Sequence, residues 1–486
     1  MIFKLDFILI LSEIYFLFST LNLLIFGVLL NKIFKKLNFL NILLLNALFI
    51  ILFVLILNLN FFCTNTYIFN YLFTTNKIIN FFVIIILISF IGYLLTYLSY
   101  IKQTFYYLSF EYIILLLLIT FGLICVLKSY NLLAMYVSLE LASLGLYILA
   151  SYNRYSNQSI EAGLKYFILG AIASGILLFG IVLVYGFSGF LNYLDIAQLS
   201  FYIFKNNDNV YTNCLFLGLF LILISIFFKL SIAPFHIWVP DVYKGSPTIS
   251  VMFFALLPKV SLLGLFINLF IINLDIIYLE LNLIMYYFII LSWLIGSLLA
   301  IYQINLKRLL AYSSIVHMGF LLLSLNLFSI NGAILYQLIY ILLTLNIFTL
   351  LLSLKKNKFN EISTIYDLIN LYKLNPYIAI NLGFIMFSFA GIPPLLGFFG
   401  KFYIFKMLFF NEGLFFILFL GLFFSIISSF YYLRIVKLIF IEFNIKYINY
   451  TPLNKLSAWV ISVTLFINLF IILNMSFFDN FKNIII

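Results

Sequence analysis

Apolar runs of about twenty residues follow one another along almost the whole of this chain, separated by short loops that hold most of its positive charge. A spanning helix needs about 20 mostly apolar residues, and in lipid its backbone must satisfy its own hydrogen bonds. The pattern predicts an all-α polytopic membrane protein. Segments near 6–30, 38–58, 80–100, 110–127, 130–150, 159–187, 212–238, 249–272, 282–304, 308–327, 331–354, 376–408, 413–437 and 456–478 make fourteen. Composition agrees, with 66% hydrophobic and 8% charged residues, where soluble domains carry roughly 25% charged.

The basic residues set an orientation. Loops after odd-numbered segments hold sixteen: Lys32, Lys35, Lys36, Lys102, Arg154, Lys244, Lys307, Arg308, Lys355, Lys356, Lys358, Lys373, Arg434, Lys437, Lys446 and Lys455. The termini and opposite loops hold five, Lys4, Lys77, Lys128, Lys205 and Lys482. Such an excess marks the cytoplasm-like side, so both termini are expected on the other. The net charge of +11 follows from these loops and calls for no nucleic acid. The start MIFKLDFILI has neither an Arg-rich amphipathic leader nor a cleavage site, so insertion from the side of synthesis is expected. Cys63, Cys125 and Cys214 are scattered, without CxxC pairing or a neighbouring His. With no glycine-rich phosphate loop either, no metal, iron–sulfur or nucleotide site is expected in this chain.

Proline is scarce and unevenly placed. Pro234, Pro240, Pro247 and Pro258 gather around the seventh and eighth segments, and Pro393 and Pro394 interrupt the twelfth. A mid-span proline removes a backbone donor, which lipid tolerates only against protein or a water-filled cavity. The seventh and twelfth segments are five positions apart. Two five-helix units, segments four to eight and nine to thirteen, then each carry a broken helix in the same place. An odd-numbered unit repeated in tandem inverts its topology, as transporters do.

Four charges stand at membrane depth: Glu140, Lys229, Lys259 and Lys401. Intramembrane ionisable residues are rare and mark ion and proton paths. Lys229 is the natural partner of Glu140. Desolvation disfavours a charged lysine and a nearby carboxylate restores it, so such a pair switches with geometry. Lys259 lies deep in an apolar segment between Pro258 and Ser261, placed to take a proton onward, and Lys401 reads either as a further carrier or as a lysine reaching for the interface. Glu161 and Lys165 form an i, i+4 pair that is either a helix-start ion pair or a site for a functional lysine. The only histidines, His236 and His317, have the ordinary proton affinity for a path through water. Asp241 and Lys244 read as a loop salt bridge.

The run FFKLSIAPFHIWVPDVYKGSPTISVMFFALLPKVS (227–261) resembles the antiporter-like membrane subunits of NADH:ubiquinone oxidoreductase, respiratory complex I, and among them the subunit-2 branch. SLELASLGLYILASY (138–152), IEAGLKYFILGAIASGILLFG (160–180), NLKRLLAYSSIVHMG (305–319) and FSFAGIPPLLGFFGKFY (387–403) match the same family, so the likeness spans residues 110–440. Lys244 departs from the acid common at that loop position. The resemblance implies a three-helix segment over 1–105, two inverted five-helix repeats over 106–273 and 274–440, and a carboxy-terminal helix over 441–486. It implies a proton relay in which Glu140 is the acid, Lys229 its partner, Lys259 the central lysine and Lys401 the terminal one. Lys165 matches a lysine near neighbouring subunits. Flavin, iron–sulfur clusters and ubiquinone are then expected in partner subunits, with this chain coupling quinone reduction to proton transfer. Expected partners are other membrane-arm subunits, neighbouring antiporter-like ones included, and membrane lipids. Pro258–Lys259 has a mitochondrial look, which implies the inner membrane with both termini toward the intermembrane space. The alternative is an Mrp-type cation/proton antiporter subunit.

Overall fold

The computed structural model describes residues 2–30, 36–60, 66–103, 110–206, 209–355, 362–410, 413–442, 450 and 452–470. Lys32, Lys35, Lys356, Lys358, Lys446, Lys482, Cys63 and the outer end of the expected segment 456–478 lie outside the described residues. Among the described residues, 12 helices are long and apolar enough to cross a membrane. They are Leu11–Leu29, Phe39–Asn60, Lys77–Ile101, Phe110–Lys128, Leu132–Ala150, Asn157–Ser188, Asn213–Leu230, Thr248–Asn273, Tyr278–Ile301, Leu306–Asn326, Ile330–Ser353 and Phe415–Phe440. Shorter apolar helices cover Pro376–Ala390, Leu396–Phe410 and Lys455–Phe470. The described fold is helical except for one antiparallel hairpin, Thr66–Ile68 with Phe73–Thr75, whose turn takes positive φ at Phe69, Asn70 and Tyr71.

Two units divide the chain by packing. One comprises Met1–Leu94, Phe105–Leu230 and Leu257–Asn282. Within it, Asn157–Ser188 runs closely along Asn209–Leu230 because glycines meet where they cross. A β-carbon on Gly180 would stand 2.7 Å from the Gly218 carbonyl oxygen, and small residues are what allow such an approach in a membrane bundle. Phe110–Lys128 packs on Leu132–Ala150, whose start is capped by the Asn131 side chain accepting from the Leu133 N–H at 2.8 Å.

The other unit comprises Leu95–Thr104, Ser231–Leu256 and Leu283–Ile486. Leu306–Asn326 and Ile330–Ser353 are its centre, 94% and 89% buried, while Phe415–Phe440 is 39% buried and turns an apolar face outward. The short helix Trp238–Gly245 rests on Leu306–Asn326 and is tied there by polar contacts. Arg308 pairs with Asp241 at 2.8 Å, and the Lys307 ammonium donates to the Ser246 carbonyl at 3.0 Å.

Both interruptions expected from proline are present. The first begins ahead of Pro234. Asn209–Leu230 stops at Leu230, Ser231 takes φ 64°, and the chain restarts at Trp238. The helix therefore ends before its proline, since the residue preceding Pro and Pro itself both resist the α conformation. Pro258, by contrast, sits inside the unbroken Thr248–Phe266, which passes into the π-helical turn Ile267–Asn273. The second interruption falls where expected. Pro376–Ala390 ends on Gly391 at φ 87°, and the chain resumes at Leu396. Gly suits that left-handed end.

Candidate proton-path residues

Glu140 is nine residues into Leu132–Ala150, and Lys229 lies in the last turn of Asn209–Leu230. The Glu140 Oε1 and the Lys229 Nζ are both buried, and neither has a hydrogen-bond partner among the described residues. The Glu140 charge reaches the Lys229 ammonium, but the two do not form an ion pair. Ser143 donates to the Glu140 carbonyl at 3.0 Å and stands 3.5 Å from its Oε2. At Lys229 the terminal carbonyls of its own helix supply negative potential, the usual benefit of a cation at a helix C-terminus.

Lys259 is 3% exposed in the middle of its helix, one residue after Pro258, which removes a rung from the hydrogen-bond ladder. Ser261 donates to the Pro258 carbonyl at 2.9 Å. Lys165 is placed differently. Its ammonium pairs with Glu161 at 2.8 Å, with side chains 45% and 65% exposed, so this pair lies on an outward face. The i, i+4 ion pair expected for it is formed.

In the other unit, Lys401 and His317 come together. The Lys401 ammonium, buried, donates to the Phe389 carbonyl at 2.9 Å and the Ala390 carbonyl at 3.0 Å. These are the last carbonyls of Pro376–Ala390, left without helical donors by the interruption. Lys401 is thus held by the break itself, and its charge also lies 5.7 Å from the Phe320 ring centre. His317 is buried between two phenols, with Nδ1 2.7 Å from the Tyr336 hydroxyl and Nε2 3.1 Å from that of Tyr432. A neutral imidazole donates through one nitrogen and accepts through the other. A cavity of about 10 Å³ opens among His317, Tyr336, Tyr340, Phe389, Gly397 and Lys401, about the seat of one water. His236, in the connection before Trp238, is partly buried, and its Nδ1 has no partner among the described residues.

Two lysines counted as loop cations are buried. Lys128 is 3% exposed and forms an ion pair with Glu13. Lys355 is 1% exposed, with its ammonium 4.5 Å from the Tyr100 ring centre. The one signal available for the first pair was Glu13 itself, an acid early in an apolar segment. No group of three or more His, Cys, Asp or Glu side chains is set to hold a metal ion among the described residues.

Residues 129–428 match the family described as NADH:quinone oxidoreductase/Mrp antiporter, TM. The chain is 39% identical over 362 residues to NADH-ubiquinone oxidoreductase chain 2 of Marchantia polymorpha, covering 74% of this chain and 73% of the relative. It is 43% identical over 335 residues to NADH-quinone oxidoreductase subunit N of Pelagibacter ubique, covering 68% and 69%. Among solved structures, a chain of respiratory complex I from Thermus thermophilus aligns over 94% of this chain and 97% of its own, with TM-score 0.75 and 26% identity. A chain of an archaeal membrane-bound sulfane sulfur reductase, 20% identical, shares the fold, with TM-score 0.79 over 99% of this chain and 98% of its own.

The two hydrogen bonds of His317 lead to a direct prediction. His317→Phe leaves the buried Tyr336 hydroxyl without that partner, at a cost of about 1–3 kcal/mol. Thermal dissociation of the purified assembly should shift downward, and adding Tyr336→Phe should recover part of the loss. No shift in the single variant would show that these bonds do not hold the core together.

Proposed function

Because this chain belongs to the NADH:quinone oxidoreductase/Mrp antiporter family of membrane subunits, we propose that it translocates protons in the membrane arm of a respiratory NADH:quinone oxidoreductase. The relatives named NADH-ubiquinone oxidoreductase chain 2, in Marchantia polymorpha and Arabidopsis thaliana, support this over an Mrp-type antiporter and support a place in the mitochondrial inner membrane. Flavin, iron–sulfur clusters and ubiquinone belong to partner subunits, among them neighbouring antiporter-like subunits, and this chain carries no redox step. Its relay runs through Glu140, Lys229, Lys259 and Lys401, with Lys165, His236 and His317 as further path residues.

One observation carries the reading. Glu140 and Lys229 place a carboxylate oxygen and an ammonium in the interior of one bundle, within electrostatic reach yet not in contact. Approach of the carboxylate favours the charged lysine, and withdrawal favours release of its proton. A pair held apart this way responds to small movements of Leu132–Ala150 against Asn209–Leu230. Lys259 and Lys401 then receive and pass the proton, and His317 stands beside Lys401 with a phenol on each nitrogen.

In our reading the 12 long helices, the interrupted pair Pro376–Ala390 and Leu396–Phe410 taken as one crossing, and Lys455–Phe470 make fourteen crossings. In this scheme 1–105 is a three-helix segment, 106–273 and 274–440 are inverted five-helix repeats, and 441–486 holds the last helix. The helix ends at Leu230 and Ala390 support the scheme, which assigns them to corresponding positions of the two repeats.

Orientation is tested with tags. Both termini should be accessible from the intermembrane space and the connection at residues 302–305, just before Lys307 and Arg308, from the matrix. A carboxy terminus in the matrix would break the fourteen-crossing count and the inverted repeat together.

The relay is tested with Lys229→Ala, which strips Glu140 of its partner. The complex should assemble while proton-coupled quinone reduction slows on the order of tenfold, about 1.4 kcal/mol on the barrier. Full activity with unchanged pumping in the assembled complex would sink the relay.

A further inference from the structure

The relay leaves one buried ion pair unused. Glu13 stands in the first turn of Leu11–Leu30, and Lys128 is the last residue of Phe110–Lys128. Their side chains are 7% and 4% exposed, and the Lys128 ammonium contacts Oε1 of Glu13 directly. The other carboxylate oxygen of Glu13 accepts from the Ser12 hydroxyl at 2.8 Å, and Lys128 reaches the Asn58 side-chain oxygen at 3.5 Å. Cys125, one turn earlier on the Lys128 helix, is the further titratable group that feels both charges.

Stability alone does not account for such a pair. Apolar side chains of similar volume often hold a protein interior equally well or better, and ionisable groups inside membrane bundles mark ion paths. The surroundings tie it to the central lysine. Asn268, in the π-helical turn that continues the Lys259 helix, donates to the carbonyl of Ser129, the residue after Lys128, at 3.5 Å. The Tyr130 hydroxyl donates to the Asn273 side-chain oxygen in the same turn at 3.4 Å. A shift of that turn therefore acts on the backbone that carries the Lys128 ammonium.

We propose that Glu13 and Lys128 form a proton-release gate, a second acid–base pair at the opposite membrane face from the basic loops. This rests on the relay and orientation proposed above. The Glu13 carboxylate takes up one proton from the relay and becomes a carboxylic acid, which opens the pair. Re-formation of the pair with Lys128 expels that proton to the aqueous face. One O–H bond forms and the same bond breaks, with no electron transferred.

The test uses the native complex carrying Glu13→Gln, Glu13→Asp, or Glu13→Met together with Lys128→Met. The Met pair preserves apolar packing without charge, so a merely structural pair keeps its turnover there, whereas a gate loses it severalfold. Glu13→Gln should lose turnover likewise, and Glu13→Asp should retain most of it. In the unmodified complex, infrared difference spectra taken on turnover should contain a protonated-carboxyl band that shifts in Glu13→Asp. Wild-type turnover in the Met pair, or no shifting band, overturns the gate, and the band decides the matter if the Met pair fails to assemble. Lys229→Ala, measured alongside, separates the two ideas. If it loses pumping while Glu13→Gln keeps it, the gate alone falls, and if both keep it the relay falls too.

Discussion

The end of an α-helix leaves its last carbonyls without helical donors and gathers the negative pole of the helix dipole there. In a bundle surrounded by lipid, that is the main polar surface the backbone offers to a cation. Lys401 uses it, donating to the two carbonyls that close Pro376–Ala390. Lys229 and Lys128 stand in the last turns of Asn209–Leu230 and Phe110–Lys128, near the same pole of the dipole. Interrupting a helix inside the protein creates such an end where a continuous span has none. At Lys401 the broken helix and the buried charge are thus one device.

The lysines differ in how firmly they are held, and the difference bears on function. Lys401 has two carbonyl acceptors and an aromatic face, Lys128 has a carboxylate, and Lys229 has only a distant one. Lys259 lies apart from any helix end, in mid-helix after a proline. The proposed relay places its switch at Lys229, whose ammonium has no hydrogen-bond partner among the described residues and so responds to approach or withdrawal of the Glu140 carboxylate.

Much of this was legible in the sequence, for identifiable reasons. Span positions follow from hydrophobic length, which lipid enforces strictly. Lys229, Lys259 and Lys401 stand out because apolar neighbours surround each. Lys128 did not, because its position at the end of an apolar run looks the same for a loop cation and for a buried one, and its partner Glu13 is 115 residues away. The clustering of His317, Tyr336 and Tyr432 was hidden for the same reason, since 115 residues separate the histidine from the second phenol. The break near Pro234 was legible, but not the residue at which the helix stops, because a proline shows that a helix is disturbed without showing on which side of it the helix ends. The ion pair between Arg308 and Asp241, 67 residues apart, joined a segment expected to pair internally to the helix Leu306–Asn326.

The central claim is that buried lysines in this chain bind and release protons. Lys259→Arg addresses it most directly, because Arg keeps the charge and the length but holds its proton up to a pH above about 12. The account predicts that the variant subunit assembles, as seen on a native gel, while pumping-linked turnover of the complex falls severalfold. Normal turnover in the assembled Lys259→Arg complex would mean that this buried mid-helix lysine is not a carrier.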